Sequence, residues 1–372
     1  MNHTECMGLA LELAKKGIGK VNPNPMVGAV IVKNGEVIAE GWHKEYGGPH
    51  AERTALEAFT ALDISPEGAT IYVTLEPCCH YGKTPPCTEA IIESGIDTVI
   101  IAILDPNPLV AGKGVESLRR AGINVVTGVL EKECRALNEA FIHFIQTNTP
   151  FVIMKYAMTM DGKIASYTGE SKWITGEAAR SKVHYDRSRY AAVMVGVGTV
   201  VRDDPLLNSR IEDGRDPVRI ICDTSLRTPL DSHVVATAKH IPVLIATSCK
   251  DEEKHKPYLS AGCKIVTVPK RDNYINLNEL MKRLGEEMID SVLLEGGGML
   301  NWSALQSGIV NKVQAYIAPK ILGGADAKTP VAGMGVKTPD EAFHLKNSVI
   351  TLLGEDILIE SEVISEIVYR HN

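Results

Sequence analysis

One stretch of this 372-residue chain restricts its fold more than any other: His50-Ala51-Glu52, followed by Glu76-Pro77-Cys78-Cys79-His80-Tyr81-Gly82-Lys83-Thr84-Pro85-Pro86-Cys87. One neutral imidazole and two thiolates can hold a Zn²⁺ with three protein ligands, which leaves the fourth tetrahedral position to water. An open position implies chemistry, because such a cation brings the proton loss of water close to neutral pH. Glu52 is spaced to move protons beside that position. The alternatives are a structural zinc clip, or cysteines buried as small hydrophobes. A clip needs a fourth ligand, for which Cys79 is the candidate, and it leaves Glu52 without a purpose.

Length and charge set the frame around this motif. The chain exceeds a usual single domain and has room for two cores. Its formal charge of −7 and pI of about 5.9 do not supply the basic face of a nucleic-acid binder, so no such partner is expected. The start, Met1-Asn2-His3-Thr4-Glu5, lacks the basic and apolar regions of a secretory signal. Aliphatic runs such as Val99 to Leu104 are too short to span a bilayer. A cytoplasmic chain with no membrane partner is therefore expected. The metal motif absorbs three of the eight cysteines, and the others read as reduced core residues rather than a disulfide framework.

Hydrophobic periodicity predicts a helix over 4–16 and a strand over 27–32, which Lys33-Asn34-Gly35-Glu36 turns into a hairpin with 37–41. A helix over 52–62 carries His50 and Glu52 at its positive end. A buried strand over 71–75 runs into Cys78, and a helix over 86–93 begins at Cys87. Strand 99–104, helix 115–121, strand 123–127 and helix 131–145 complete an alternating pattern, that of a sheet covered by helices. Asn24, in the turn Asn22-Pro23-Asn24-Pro25, and Asp105-Pro106-Asn107-Pro108, at a strand's carboxyl end, lie where ligands are held in such sheets, although turn chemistry alone accounts for both.

Gln146-Thr147-Asn148-Thr149-Pro150 is polar and proline-terminated, which places a domain boundary between 147 and 148. Strands over 151–157, 192–195 and 218–222, with a helix over 177–189, predict a second α/β core. Later, a strand over 291–294 runs into Glu295-Gly296-Gly297-Gly298 and a helix over 299–306. Main-chain N–H groups and a positive helix end there suit a phosphate. Without a G-x-G-x-x-G fingerprint, the glycines alone read as a turn.

The pair His50-x-Glu52 and Pro77-Cys78 fits the start of the zinc-deaminase signature, H-x-E then P-C-x-x-C. Tyr81 stands where the next cysteine belongs, so a longer loop has to bring Cys87 back. That longer form, P-C-x-H-x-G-x-T-P-P-C, occurs with Met160-Asp161-Gly162-Lys163, Ser171-Lys172-Trp173-Ile174-Thr175, Gly196-Val197-Gly198-Thr199 and Glu295-Gly296-Gly297. In this order, over nearly the full chain, the set resembles the bifunctional deaminase/reductase family of riboflavin biosynthesis. The resemblance implies an α/β chain with an N-terminal cytidine-deaminase-like αβα domain over 1–147 and a C-terminal dihydrofolate-reductase-like α/β domain over 148–372. It implies zinc-dependent hydrolytic deamination of 2,5-diamino-6-(5-phosphoribosylamino)pyrimidin-4-one to 5-amino-6-(5-phosphoribosylamino)uracil. NADPH-dependent reduction of the ribosyl group to ribityl follows.

Carried onto this sequence, the resemblance makes His50, Cys78 and Cys87 the zinc ligands and Glu52 the proton shuttle. Asn24, His80, Lys83, Asp105 and Asn107 line the deaminase pocket. Ala157, Trp173, Thr199, Asp203, Thr224 and the run Gly297, Gly298, Met299, Leu300, Asn301, Trp302 and Ser303 contact the nicotinamide nucleotide. Ser171, Arg187, Leu207, Arg210 and Glu295 contact the reductase substrate, with Lys155 nearby. The guanidinium forks of Arg187 and Arg210 suit a ribose phosphate. No general acid for reduction is evident, and Asp203, Glu295 and Lys155 are the candidates for a polar role. A homo-oligomer acting on a small molecule is expected. A nucleic-acid deaminase shares His50-x-Glu52 but not the long loop, and the second half as a non-catalytic module on a lone deaminase stays open.

Overall fold

A computed structural model describes residues 1–81, 85–107 and 110–364. The chain forms two compact units, Met1–Asn148 and Thr149–Asn372. The first is built on five strands: β1 (Gly28–Lys33), β2 (Glu36–Trp42), β3 (Thr70–Leu75), β4 (Thr98–Ile103) and β5 (Asn124–Thr127). Their order is β2-β1-β3-β4-β5. β1 is antiparallel to both neighbours, whereas β3, β4 and β5 run parallel. Asn34 and Gly35 both take the positive φ that a tight hairpin demands, 53° and 80°, so the turn follows directly from the sequence.

The helix His3–Lys15 begins in a capping box between Asn2 and Glu5 and buries Cys6, Met7, Ala10, Leu11 and Ala14 at helical spacing. A second helix, Ala51–Thr60, lies directly on β2 at Gly41. A Cβ at Gly41 would come within 2.3 Å of Ala51 O and 2.5 Å of Ala55 N, so only glycine lets the helix settle there. That contact fixes the height of the helix start, where His50 and Glu52 sit.

The helix expected over 131–145 is two helices, Glu131–Leu137 and Glu139–Thr147. Asn138 lies at the break, 1 % exposed. Its carboxamide accepts from Met26 N at 2.8 Å and donates to Met26 O at 2.9 Å. A two-way bond to the segment leading into β1 outweighs one uninterrupted helix, and no periodicity in the sequence reports it.

The second unit holds a nine-stranded sheet. Its members are β6 (Phe151–Thr159), β7 (Ala192–Gly196), β8 (Val218–Cys222), β9 (Val243–Thr247), β10 (Lys264–Thr267), β13 (Ser291–Leu294), β14 (Lys312–Ala318), β15 (Leu345–Leu353) and β16 (Asp356–Val363). A small hairpin, β11 (Lys270–Arg271) and β12 (Tyr274–Ile275), stands apart. The order is β10-β9-β8-β7-β13-β6-β14-β16-β15. The first seven run parallel, and β16 and β15 close the sheet antiparallel. Alternate residues feed two cores: Ala192, Met194, Val292 and Leu294 enter one, and Val193, Val195, Ile221 and Ile245 the other. Burial on both faces explains the near-continuous aliphatic runs. Among the described residues, no helix is long and apolar enough to cross a membrane.

Gly41→Ala is expected to destabilise the first unit by about 1–3 kcal/mol, the usual cost of forcing a methyl into a packed contact. Chemical denaturation followed by the near-ultraviolet signal of Trp42 measures it.

Candidate active sites

The first site forms where two helix starts meet the end of β3. His50 is the N-cap of Ala51–Thr60, and Cys87 is the first residue of the helix Cys87–Ser94. His50 Nδ1 lies 3.3 Å from Cys87 Sγ and 3.6 Å from Cys78 Sγ, and the three donor atoms fall within 4.8 Å of one another. Sulfur and nitrogen donors bound tetrahedrally to one zinc ion are separated by about 3.6 Å, so this donor set fits the cation. Cys79, the candidate fourth ligand of a structural clip, is not part of the cluster among the described residues.

The electrostatics follow from packing. Cys87 N donates to Cys78 Sγ at 3.3 Å. Thr88 N and Oγ1 donate to Cys78 O at 3.2 and 3.3 Å. The Cys78 thiol is pulled down to about 4 by its hydrogen bond with Cys87 and by His50. Two sulfurs this close cannot both ionise without a cation between them, and the bond to Cys78, with burial, drives the Cys87 thiol upward. The same partner raises His50. Glu52, 3 % exposed, is pushed up to about 7 by burial, the range suited to accepting and returning a proton.

A cleft of about 360 Å³ opens beside His50 and Cys78, which line it together with Asn24, Glu52, His80, Asp105 and Asn107. Lys83, also expected there, lies outside the described residues. Asp105 accepts from Asn107 N at 2.8 Å, and burial raises its carboxyl. Two lining residues had no role from sequence. Glu76, 3 % exposed, accepts from Asp105 N, Gly112 N and Val115 N at 3.0–3.1 Å, tying the loop after β4 to the start of Pro77-Cys78. Its place at a strand end just before Pro-Cys was the available signal. His43, buried after β2, has no motif around it; its ring stands edge-on to His50 at 5.6 Å.

In the second unit, several of the expected residues follow parallel strands at their carboxyl ends, where open α/β sheets hold ligands. Ala157 lies in β6, Thr199 and Asp203 follow β7, Thr224 follows β8, and Glu295 and the glycines follow β13. Gly196 N donates to Gly296 O at 2.8 Å, and a Cβ on Gly297 would lie 3.7 Å from Thr199 Oγ1, so the two loops adjoin. Ser171 precedes Trp173, which is 61 % exposed and stacks beneath Arg180 at 4.7 Å. Gly298, Met299 and Leu300 open the helix after the glycines, and Ser303 Oγ bonds back to Met299 O. Asn301 and Trp302 instead turn inward: Asn301 Nδ2 donates to Pro330 O at 2.8 Å, and Trp302 packs edge-on to Phe343.

Arg187 departs from the expected phosphate-facing fork. Its Nε and one terminal nitrogen donate to the two oxygens of Glu295 at 2.6 and 2.8 Å, and the other donates to Asn208 O. Burial raises Glu295, but Arg187, with Lys155 beside it, overrides this and holds the carboxyl at about 2. Burial in turn lowers the Lys155 ammonium. Arg210 is exposed, and its Nε donates to Asn208 Oδ1. Leu207 and Arg210 both hold left-handed backbone, φ 55° and 56°, a conformation that side chains resist and that concentrates at functional loops.

Residues 1–103 match the cytidine and deoxycytidylate deaminase zinc-binding region, and residues 150–359 match the RibD C-terminal domain. The riboflavin biosynthesis protein RibD of Actinobacillus pleuropneumoniae is 54% identical over 98% of this chain and 96% of its own. RibD of Escherichia coli (strain K12) is 35% identical over 95% and 97%. A diaminohydroxyphosphoribosylaminopyrimidine deaminase/5-amino-6-(5-phosphoribosylamino)uracil reductase from Thermotoga maritima superposes with a TM-score of 0.85 at 41% identity, over 97% of this chain and 98% of that one. The first unit thus has the cytidine-deaminase fold and the second the dihydrofolate-reductase-like fold of the RibD reductase. The chain belongs to the RibD family of riboflavin biosynthesis, bifunctional enzymes that join a deaminase and a reductase in one polypeptide.

Proposed function

We propose that residues 1–147 deaminate 2,5-diamino-6-(5-phosphoribosylamino)pyrimidin-4-one to 5-amino-6-(5-phosphoribosylamino)uracil, and that residues 148–372 then reduce its ribosyl group to ribityl with NADPH. The observation that carries the reading is the convergence of His50, Cys78 and Cys87 beside a buried carboxylate in a cleft the size of a small-ligand site. Zinc is the cation this donor set would hold, and when bound it supplies Lewis acidity toward water. Glu52 takes the proton of the attacking water and hands it to the departing amine. Asn24, His80, Lys83, Asp105 and Asn107 hold the ring and ribose phosphate.

For reduction, the protein supplies position and charge while the cofactor carries the hydride. The Thr199 and Gly297–Ser303 loops bind the nucleotide, with Ala157, Trp173, Asp203 and Thr224. Ser171, Leu207 and Arg210 border the substrate. The Lys155–Glu295–Arg187 cluster presents a fixed polar surface to the reacting ribose. Removing one partner of its nearly buried Arg187–Glu295 pair should cost about 3–5 kcal/mol, because the other charge is left uncompensated.

The working enzyme is a homo-oligomer joined through β15. This terminal strand exposes Val349, Ile350 and Leu352 by 59–72 %, and its outer edge has no strand beside it among the described residues. A second copy, antiparallel across a two-fold axis, satisfies both edges together.

Ammonia and NADPH followed in one cuvette test the paired activities. Glu52→Gln should keep its metal, lose about 10²- to 10⁴-fold in ammonia release and still oxidise NADPH when given the deaminated compound. Deamination at the wild-type rate in that variant removes Glu52 from the mechanism. Metal analysis should give about one zinc per chain, and a chelator should stop ammonia release while sparing NADPH oxidation. Sedimentation equilibrium should find an assembly that Ile350→Lys with Leu352→Lys converts to monomer. An unchanged mass would move the interface elsewhere.

A further inference from the structure

We infer that His43 is a positioning residue for deamination, holding the Asn24 carboxamide so that its oxygen faces the cleft as an acceptor for an N–H of the pyrimidine. The inference rests on the deaminase reading above. It begins with a ring 3 % exposed, anchored by His43 N donating to Val27 O at 2.9 Å. His43 Nδ1 lies 2.9 Å from Pro49 O. A carbonyl only accepts, so Nδ1 carries the proton. A ring this buried, with a carbonyl and a carboxamide as its hydrogen-bond partners, is neutral, and Nε2 is therefore a lone pair.

Asn24 Nδ2 lies 3.1 Å from that lone pair. An acceptor at this position selects the amide NH₂ and rejects the oxygen, so the histidine decides which way the carboxamide faces. The backbone of Asn24 is pinned as well, through Asn24 N to Val21 O at 2.7 Å. Among the described residues the bond to His43 is the one hydrogen bond that the Asn24 carboxamide makes within the protein, through Nδ2, and Asn24 lines the same cleft as His50 and Glu52. An oriented acceptor discriminates by chemistry: it takes a ring N–H or exocyclic amine and penalises a substrate edge that offers a lone pair there. The order runs from the main chain next to the metal ligand, through the imidazole, to the group that reads the substrate.

The test is a cycle of Asn24→Ala, His43→Phe and the double variant, assayed for ammonia release from the phosphoribosylated diaminopyrimidine. Zinc content and NADPH oxidation of the deaminated compound verify that each chain is folded and loaded. Each single change should lower kcat/KM about tenfold, mostly through KM, as loss of one ground-state hydrogen bond does. The double variant should be no worse than Asn24→Ala, because His43 acts only through it. An additive double variant, near a hundredfold, overturns the inference, as does loss of zinc in His43→Phe. Should His43→Phe not fold, His43→Asn replaces it: it can keep the Pro49 bond but has no atom to reach Asn24, and a wild-type KM there overturns the inference too. Wild-type kinetics in Asn24→Ala overturns it by removing Asn24 from substrate binding, whereas a wild-type chain that releases no ammonia sinks the deaminase reading itself.

Discussion

Three acidic side chains, Cys78, Cys87 and Glu52, share one largely buried corner of the first unit, where Cys78 is pulled down while Cys87 and Glu52 are pushed up, so ionising all three calls for something positive beside them. Two helix starts supply part of that charge. The helix Ala51–Thr60 brings its positive end to the corner because Gly41 lets it rest on β2, and Cys87 offers a main-chain N–H to Cys78 from the start of another. A cation held by His50, Cys78 and Cys87 would supply the rest. A side chain at position 41 would meet the backbone of that helix at Ala51 and Ala55, directly beside His50 and Glu52.

The reductase unit reaches a similar end by a different route. Its charges are paired rather than concentrated, with Glu295 satisfied by both nitrogens of one arginine edge and backed by a lysine. A run of seven parallel strands, largely buried on both faces apart from the edge strand β10, provides the rigidity, and the loops after β7, β8 and β13 leave from one end.

Much of this was legible in the residues. The hairpin turn at Asn34-Gly35, the helix faces and the triad follow from local rules: turn chemistry, a 3.6-residue period and a metal's demand for particular donors. What stayed hidden depends on partners distant in sequence. Asn138 breaks a helix because Met26 lies opposite; Arg187 spends its fork on Glu295, 108 positions away; His43 matters only through Pro49 and Asn24. β9 also escaped the sequence reading, because a short aliphatic run such as Val243–Thr247 carries no alternation when both faces are buried, and so did β10, a four-residue edge strand too short to show a period. The family resemblance named the ligands, but it could not say which of them the protein had already bound to itself.

Glu76 links matters that look separate. One carboxylate joins the segment bearing Cys78 to the loop bearing Asp105 and Asn107, using three main-chain N–H groups rather than side chains. The segment that bears Cys78 and the loop after β4 therefore share a single mechanical frame, and neither can drift without dragging the other. Because the donors are backbone, the loop's side chains can be exchanged while the frame, and with it the placing of Cys78, survives.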